Sequence, residues 1–304
     1  MKKIRPLRTG EMVSIIAPSS PFDRAAFENA LSIITGFGLV PKYDASMLSH
    51  NGYLAGSDLR RALEFINAMN DPETSAVLPA RGGYGAMRII HAVDSEAHLG
   101  FKLFAGFSDI TVLHSYLVQR KKMVTLHSPN LISSAKMESE SIHRFRNALL
   151  GENAQNNFFF SGLKRINGGR DSGVSFGGNL SLIAAMMGTP LEVDFTDKIL
   201  FLEEVHEPLY RIDRMLTQLS MSRTWKKLKG IAFGEMGVSD EERERFDGLL
   251  SDFAAGAGKP AVKGFPVGHG VRNYTVPLGV LCTLDAGREI FNVDESPYSS
   301  DETS

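Results

Sequence analysis

The 304-residue chain holds one cysteine, Cys282, so no internal disulfide can form. It stands in Val280-Leu281-Cys282-Thr283-Leu284, which reads as a buried strand with the thiol as a small core group. Without cysteine pairs the common zinc spacings are missing. His206-Glu207 begins like a zinc helix, but Tyr210 occupies the second histidine's place and Pro208 breaks the helix. Neither sign of charge dominates: 33 basic and 35 acidic residues leave −2, which gives no nucleic-acid footprint and no acidic solvating body. No apolar run approaches the roughly 20 residues that span a bilayer. The longest near the start, Val13 to Ala17, is interrupted by Ser14 and too short for a signal-peptide core. No Gly-Lys-Ser/Thr occurs, and Arg88 stands where a dinucleotide loop after Gly83-x-Gly85 needs its third glycine. These absences predict a soluble cytoplasmic protein with no metal, no cofactor, and no nucleic-acid or membrane partner.

Hydrophobic residues at 43% and charged residues at 22% can support a large core without staples. Short apolar runs at Met12–Ala17, Leu39–Val40, Ser75–Ala80, Phe101–Ala105 and Val124–Leu126 alternate with helical patterns. The first helix follows Asp23. The second follows Ser57 or Asp58, with Leu59, Ala62, Leu63, Ile66 and Met69 at helical spacing. Such alternation predicts an α/β half, residues 1–150, built on a mostly parallel sheet with helices on both faces. Residues 151–175, rich in Asn and Gly, read as a crossing. Residues 176–304 read as a smaller α/β domain whose acidic, serine-rich tail, from about Asp294, is expected to be disordered.

The sharpest local feature is Phe101-Lys-Leu-Phe-Ala-Gly106-Phe-Ser108-Asp109-Ile-Thr, a buried strand turning at glycine into a helix. That setting suits a nucleophile elbow, with helix-opening N–H groups available to an oxyanion. A helix-capping role for Ser108 explains the same pattern. Arg81-Gly82-Gly83-Tyr84-Gly85 ends the preceding strand and reads either as a structural turn or as an oxyanion or carboxylate site, since strand carboxyl ends line the ligand crevice of open α/β sheets. A serine needs a base. His91, His98, His114 and His143 lie in helical patterns and read as surface or packing residues. His269, in Gly264-Phe-Pro-Val-Gly-His-Gly270, is the favoured base, with His127 in second place. Lys198-Ile-Leu-Phe-Leu-Glu203-Glu204 ends a strand in two carboxylates that alternation points to opposite sides. One can orient the base, unless both serve salt bridges to Arg211 or Arg214.

Read together, these segments resemble the LD-carboxypeptidase family of serine peptidases. The matching stretches run in order along nearly the whole chain: Ala17-Pro-Ser-Ser20, Ala80-Arg-Gly-Gly-Tyr-Gly85, Gly106-Phe-Ser-Asp-Ile-Thr111, Gly177-Gly-Asn-Leu180, Gly188-Thr-Pro190, Phe201-Leu-Glu-Glu204 with Tyr210-Arg-Ile-Asp-Arg214, and Pro266-Val-Gly-His-Gly270 with Asn273 and Pro277-Leu-Gly279. The resemblance implies a catalytic Ser108, Glu203 and His269 and oxyanion contacts from the backbone of Gly82, Gly83 and Asp109. Arg81 and Tyr84 are expected to touch substrate. It further implies a murein peptide substrate, peptidoglycan recycling, no metal and a homodimer. His127-Ser128-Pro129 departs from the family's usual His-Gly-Pro.

Two other readings stay open. One is a microcin-immunity-like amidase acting on peptidyl- or aminoacyl-nucleotides, a relative that tends to carry an aromatic stacking residue in a longer insert. Here residues 131–175 are compact and hold no Trp; the only one is Trp225, leaving Phe158 to Phe160. The other is a non-catalytic module that binds cell-wall peptide.

Overall fold

The computed structural model describes residues 1–299. The described residues form two compact units: unit 1 is 1–157 with Tyr274–Val276 and 298–299, and unit 2 is Phe158–Asn273 with Pro277–Pro297.

Unit 1 alternates strand and helix: β1 (Met12–Ile16), α1 (Arg24–Gly36), β2 (Val40–Lys42), α2 (Asp58–Asn70), β3 (Thr74–Pro79), α3 (Ala86–Asp94), β4 (Leu103–Gly106), α4 (Thr111–Ser115) and β5 (Thr125–His127). Helices α5 (Leu131–Ser134), α6 (Ser139–Leu150) and α7 (Ala154–Asn157) follow. The sheet order is β2-β1-β3-β4-β5, and all these pairings are parallel. The order reverses at β1, so the crevice at the strand carboxyl ends opens beside β1 and β3, where the chain leaves the sheet in opposite directions. Both opening caps work as expected: the Asp23 carboxylate accepts from Ala26 N–H at 2.9 Å, and the Ser57 hydroxyl from Arg60 N–H at 3.2 Å. Val13, Ile15, Val77, Leu103 and Phe104 are buried in the sheet, and each contributes roughly 1.5–3 kcal/mol by leaving water.

One face differs from the periodic reading. On α2, Leu59 and Leu63 are exposed (65% and 47%), while Arg61 is fully buried with Ala62, Phe65 and Met69. The Arg61 guanidinium donates through Nη1 to the Pro18 and Gly85 carbonyls and through Nη2 to Asp58, so its charge is paired and both terminal nitrogens have partners. Hydrogen bonding to two loop carbonyls turned the helix away from its leucines.

Unit 2 is built on an eight-stranded sheet. Its strands are β6 (Phe159–Phe160), β7 (Lys164–Asn167), β8 (Arg170–Asn179), β9 (Lys198–Glu203), β10 (Gly230–Phe233), β11 (Ala261–Lys263), β13 (Leu281–Asp285) and β14 (Ile290–Val293), in the order β6-β14-β13-β8-β9-β10-β11-β7. Between β11 and β13 lies β12 (Val276–Leu278), which begins in unit 1 and follows β5 in that sheet's strand order. Strands β8 to β11 are parallel and the outer pairs antiparallel. Helices α8 (Leu180–Met186), α9 (Leu209–Ser220) and α10 (Arg243–Ala257) complete it. The α/β class therefore holds in both halves.

The stretch 151–175 carries α7 and three strands rather than a plain crossing. The tail is held further than its composition suggests. Thr283 Oγ1 donates to Asp294 at 2.6 Å, and the Tyr298 hydroxyl donates to the Ala148 carbonyl at 2.7 Å. Those partners offset its lack of apolar surface; the part of the expected disorder beyond 299 lies outside the described residues. Cys282 is buried in β13, where burial pushes its thiol well up, away from reactivity.

Candidate active site

In unit 1 the carboxyl ends of β1, β3, β4 and β5 carry the expected residues. Ser108 stands two residues past the end of β4, with φ +67°, a left-handed conformation that a serine rarely adopts. A helix-capping serine holds an extended backbone instead, so the capping alternative does not describe it. The turn is pinned from behind. Asn130 grips the Phe107 peptide on both sides: its Oδ1 accepts from the N–H at 3.1 Å, and its Nδ2 donates to the carbonyl at 3.2 Å. His114 lies within 2.8 Å of the Gly106 carbonyl through Nε2 and within 2.9 Å of Thr125 Oγ1 through Nδ1. Burial lowers the His114 pKa from 6.5 to about 4, so the ring is neutral, with Nε2–H donating and Nδ1 accepting.

Gly82 lies directly against the serine. A Cβ there would stand 2.9 Å from Ser108 Cβ and 3.1 Å from its Oγ, so only glycine lets the two strand ends approach this closely. Gly83 has φ +105°, and a Cβ on it would press to 2.6 Å of Ser20 Cβ, whose hydroxyl accepts from Tyr84 N–H at 3.0 Å. Asp109 is buried, and its Oδ2 accepts from the Ser19 hydroxyl at 2.6 Å and from Ala86 N–H at 2.7 Å. Burial raises its pKa, and those two donors pull against the rise. One carboxyl group thus ties the β1 loop, the β3 turn and the β4 elbow together, bringing Gly82, Gly83, Ser108 and Asp109 into one cluster. Arg81 is exposed, with one Nη1 donating to Pro21 O at 2.9 Å, and it lines a groove with Phe22, Arg24, Leu48 and His50. Tyr84 is exposed and meets Tyr53 edge-on at 5.4 Å.

In unit 2 the Glu203 carboxylate, at the end of β9, lies 2.7 Å from His269 Nδ1. Glu203 is fully buried and the imidazole 21% exposed. Burial pushes the Glu203 carboxyl up, with His269 pulling it back. For His269, burial acts downward, but the hydrogen bond and charge of Glu203, with Glu204 and Glu235, reverse it and the net shift is upward. The pairing puts a proton on Nδ1 and makes Nε2 the basic nitrogen. Glu204 points the other way, as strand alternation requires. It accepts from Asn179 Nδ2 (3.1 Å) and Ser181 N–H (2.8 Å) at the start of α8, and from the N–H of the next residue, Val205 (2.8 Å). Neither carboxylate serves the arginines: Arg211 pairs with Glu207, and Arg214 stacks on Tyr210.

Comparison with known proteins decides the family. Residues 13–128 match the LD-carboxypeptidase N-terminal domain and residues 172–284 its C-terminal domain. The chain is 34% identical, over 94% of its length and 92% of the relative's, to the "probable murein peptide carboxypeptidase" of Bacillus subtilis. The chain belongs to the LD-carboxypeptidase family.

Other members agree. The murein tetrapeptide carboxypeptidase of Pseudomonas aeruginosa is 28% identical, over 91% of this chain and 94% of that one. The solved muramoyltetrapeptide carboxypeptidase of Oxalobacter formigenes superposes with a TM-score of 0.79 at 26% identity, covering 94% and 99% of the two chains. The fold is shared with the microcin C7 self-immunity protein MccF bound to glutamyl sulfamoyl guanosine, at a TM-score of 0.86, 18% identity, and 98% and 100% coverage. As an LD-carboxypeptidase family member the chain is a peptidase of the carboxypeptidase kind. Ser108 falls in the first matched domain, and Glu203 and His269 in the second.

Several supporting residues had no role assigned from the sequence. Asn130, Arg61 and Glu235 each act on a partner at least 23 positions away, and nothing in their own neighbourhood marks them; Ser19 and Ser20 lie in the matching stretch Ala17-Pro-Ser-Ser20, but their partners Asp109 and Tyr84 are also remote. His127, second choice as base, is buried against Phe107 with ring centroids 6.0 Å apart. Trp225 packs on Phe195 and Phe253, while Phe158 and Phe160 are buried and Phe159 is exposed. Among the described residues no group of three or more His, Cys, Asp or Glu is placed to hold a metal ion, and no helix is long and apolar enough to cross a membrane.

Proposed function

We propose that this chain is a serine-type LD-carboxypeptidase that releases the terminal D-alanine from murein tetrapeptide in the cytoplasm, during peptidoglycan recycling. The observation that carries the reading is the left-handed backbone of Ser108, held against Gly82 by the Asn130 clamp. Strain of that kind, roughly 1–3 kcal/mol, persists where the surroundings over-determine it, and a strand-to-helix nucleophile elbow is such a place.

The chemistry follows triad logic. His269 Nε2 accepts the proton of Ser108 Oγ, which attacks the carbonyl carbon of the L-configured centre preceding D-alanine. As the new bond forms, negative charge moves onto the substrate's carbonyl oxygen and is met by the N–H groups of Gly82, Gly83 and Asp109, where one donor is typically worth about 3–4 kcal/mol of barrier. The C–N bond breaks as His269 returns the proton to the departing amine. Water, deprotonated by His269, then cleaves the Ser108 ester. Glu203 keeps the imidazole in the required tautomer and stabilises it when charged. Arg81, exposed beside the oxyanion turn, is assigned the substrate's terminal carboxylate, with Tyr84 at the flank.

Mass spectrometry of sugar-free tetrapeptide incubated with wild type and with Ser108→Ala tests reaction and nucleophile together. The wild type should remove one D-alanine and the variant none. An intact tetrapeptide, alongside hydrolysis of an aminoacyl sulfamoyl-adenylate, would transfer the chain to the microcin-immunity activity. In the same assay Arg81→Ala should raise KM about tenfold or more with kcat little altered, the cost of one charged hydrogen bond; unchanged KM removes Arg81 from the site.

A further inference from the structure

We propose that Glu235 is a positioning residue for His269, its side chain being the post around which the Gly268-His269-Gly270 turn is wrapped. The inference rests on the reading of His269 as the general base.

Glu235 lies two residues beyond the end of β10. Its N–H donates to the Val267 carbonyl at 2.9 Å, and its own carbonyl accepts from Glu204 N–H at 2.9 Å, so its backbone links the segment after β9 to the histidine loop. Its carboxylate accepts the Gly270 N–H in a short hydrogen bond. The two glycines flanking His269 are there for this side chain. Gly268 has φ +145°, and a Cβ on it would stand 2.6 Å from Glu235 Cβ; a Cβ on Gly270 would stand 2.7 Å from the carboxylate carbon and overlap both oxygens. The Gly-His-Gly pattern thus supplies room rather than looseness. His269 is fixed at two places, its ring by Glu203 and its peptide by Glu235.

Charge is the lesser part of the effect. Glu235 is exposed, and an exposed carboxylate acts weakly through screening water. The hydrogen-bond acceptor is what holds the turn. Glutamine presents an oxygen in the same place and should serve, whereas alanine cannot. A serine peptidase loses rate steeply when its base moves by an ångström, so the deficit belongs in kcat rather than in KM.

The test uses the full chain and two readouts. In D-alanine release, Glu235→Ala should lower kcat tenfold or more with KM within twofold, and Glu235→Gln should recover to within threefold of wild type. In proton NMR, the low-field Nδ1–H resonance of His269 should persist in wild type and Glu235→Gln and broaden away in Glu235→Ala. Should the alanine variant not fold, Gly270→Ala, which displaces the carboxylate from the other side, should give the same two losses. An unaltered resonance with kcat within twofold of wild type in either disabling variant overturns the proposal. So does a glutamine variant as slow as alanine. If wild type leaves tetrapeptide intact, the activity reading fails, and the NMR readout alone still decides the role of Glu235.

Discussion

At the scale of single residues, the local sequence around Ser108 supports two structures, and the difference between them is one dihedral angle. Gly106-Phe-Ser-Asp fits a helix cap as well as it fits an elbow, because both put serine between a strand and a helix. The positive φ at Ser108 separates them, and it arises from groups far along the chain: the Asn130 amide behind Phe107 and Gly82 in front. Strain of this origin has a measurable sign. In Ser108→Gly the left-handed backbone carries no Cβ penalty, while Ser108→Ala retains it in full. Both should be inactive, yet the glycine variant should be the more stable by about 1 kcal/mol in urea unfolding, despite glycine's greater freedom when unfolded. Alanine equal to or above glycine would mean that the backbone at 108 is unstrained.

Among elements, legibility followed the source of each element's stability. β1, β3, β4, β5, β9 and β10 are short apolar runs bounded by turn residues, buried on both faces of parallel sheets, and the chain announces them plainly. The polar strands near the edges of the second sheet do not show the same pattern. Lys164–Asn167 has exposed lysine and arginine and pairs antiparallel with β11. Nothing apolar distinguishes such a strand from a connecting loop, which is why 151–175 read as one. Helix α2 forms as expected, with Ala62, Ile66 and Met69 buried, and departs only in which other residues share their face. Its leucines repeat at helical spacing, but the buried stripe is set by Arg61, whose side chain reaches the carbonyls of Pro18 and Gly85. Periodicity counts apolar residues, and here a hydrogen-bonded guanidinium outweighed two of them. The candidate site divides along the same line. Ser108, Glu203 and His269 stand at strand ends or in a glycine-flanked loop where position alone draws attention, whereas Asn130 and Glu235 are defined only by what they hold.

For the whole molecule, buried titratable groups make stability depend on pH in opposing directions. Asp109, Glu64 and Glu203 have carboxyls raised chiefly by burial, so each keeps its proton in the folded chain at a pH where the unfolded chain has lost it. Acidification through that window favours folding. His114 does the reverse. Its folded pKa lies at about 4 against 6.5, so above pH 6.5 neither state is protonated and the group contributes no pH dependence. As pH falls from 6.5 to about 4, the unfolded chain takes up a proton that the folded chain refuses, and stability drops by about 3 kcal/mol in total. The net curve mixes both signs, so the informative quantity is a difference. His114→Asn, uncharged throughout, should be destabilised at pH 7 by the loss of the hydrogen bonds to Gly106 and Thr125. At pH 4 that deficit should be smaller by about 3 kcal/mol, because the wild type has lost what the variant never had. Urea unfolding at the two pH values measures it, and an equal deficit at both would show that the ring behind the elbow is not held neutral. The consequence reaches the site, since Nε2–H of His114 holds the Gly106 carbonyl two residues before Ser108. Charging the ring removes the Nδ1 acceptor from Thr125 and loosens that support. Burial that costs stability in acid therefore keeps the serine's turn rigid at neutral pH.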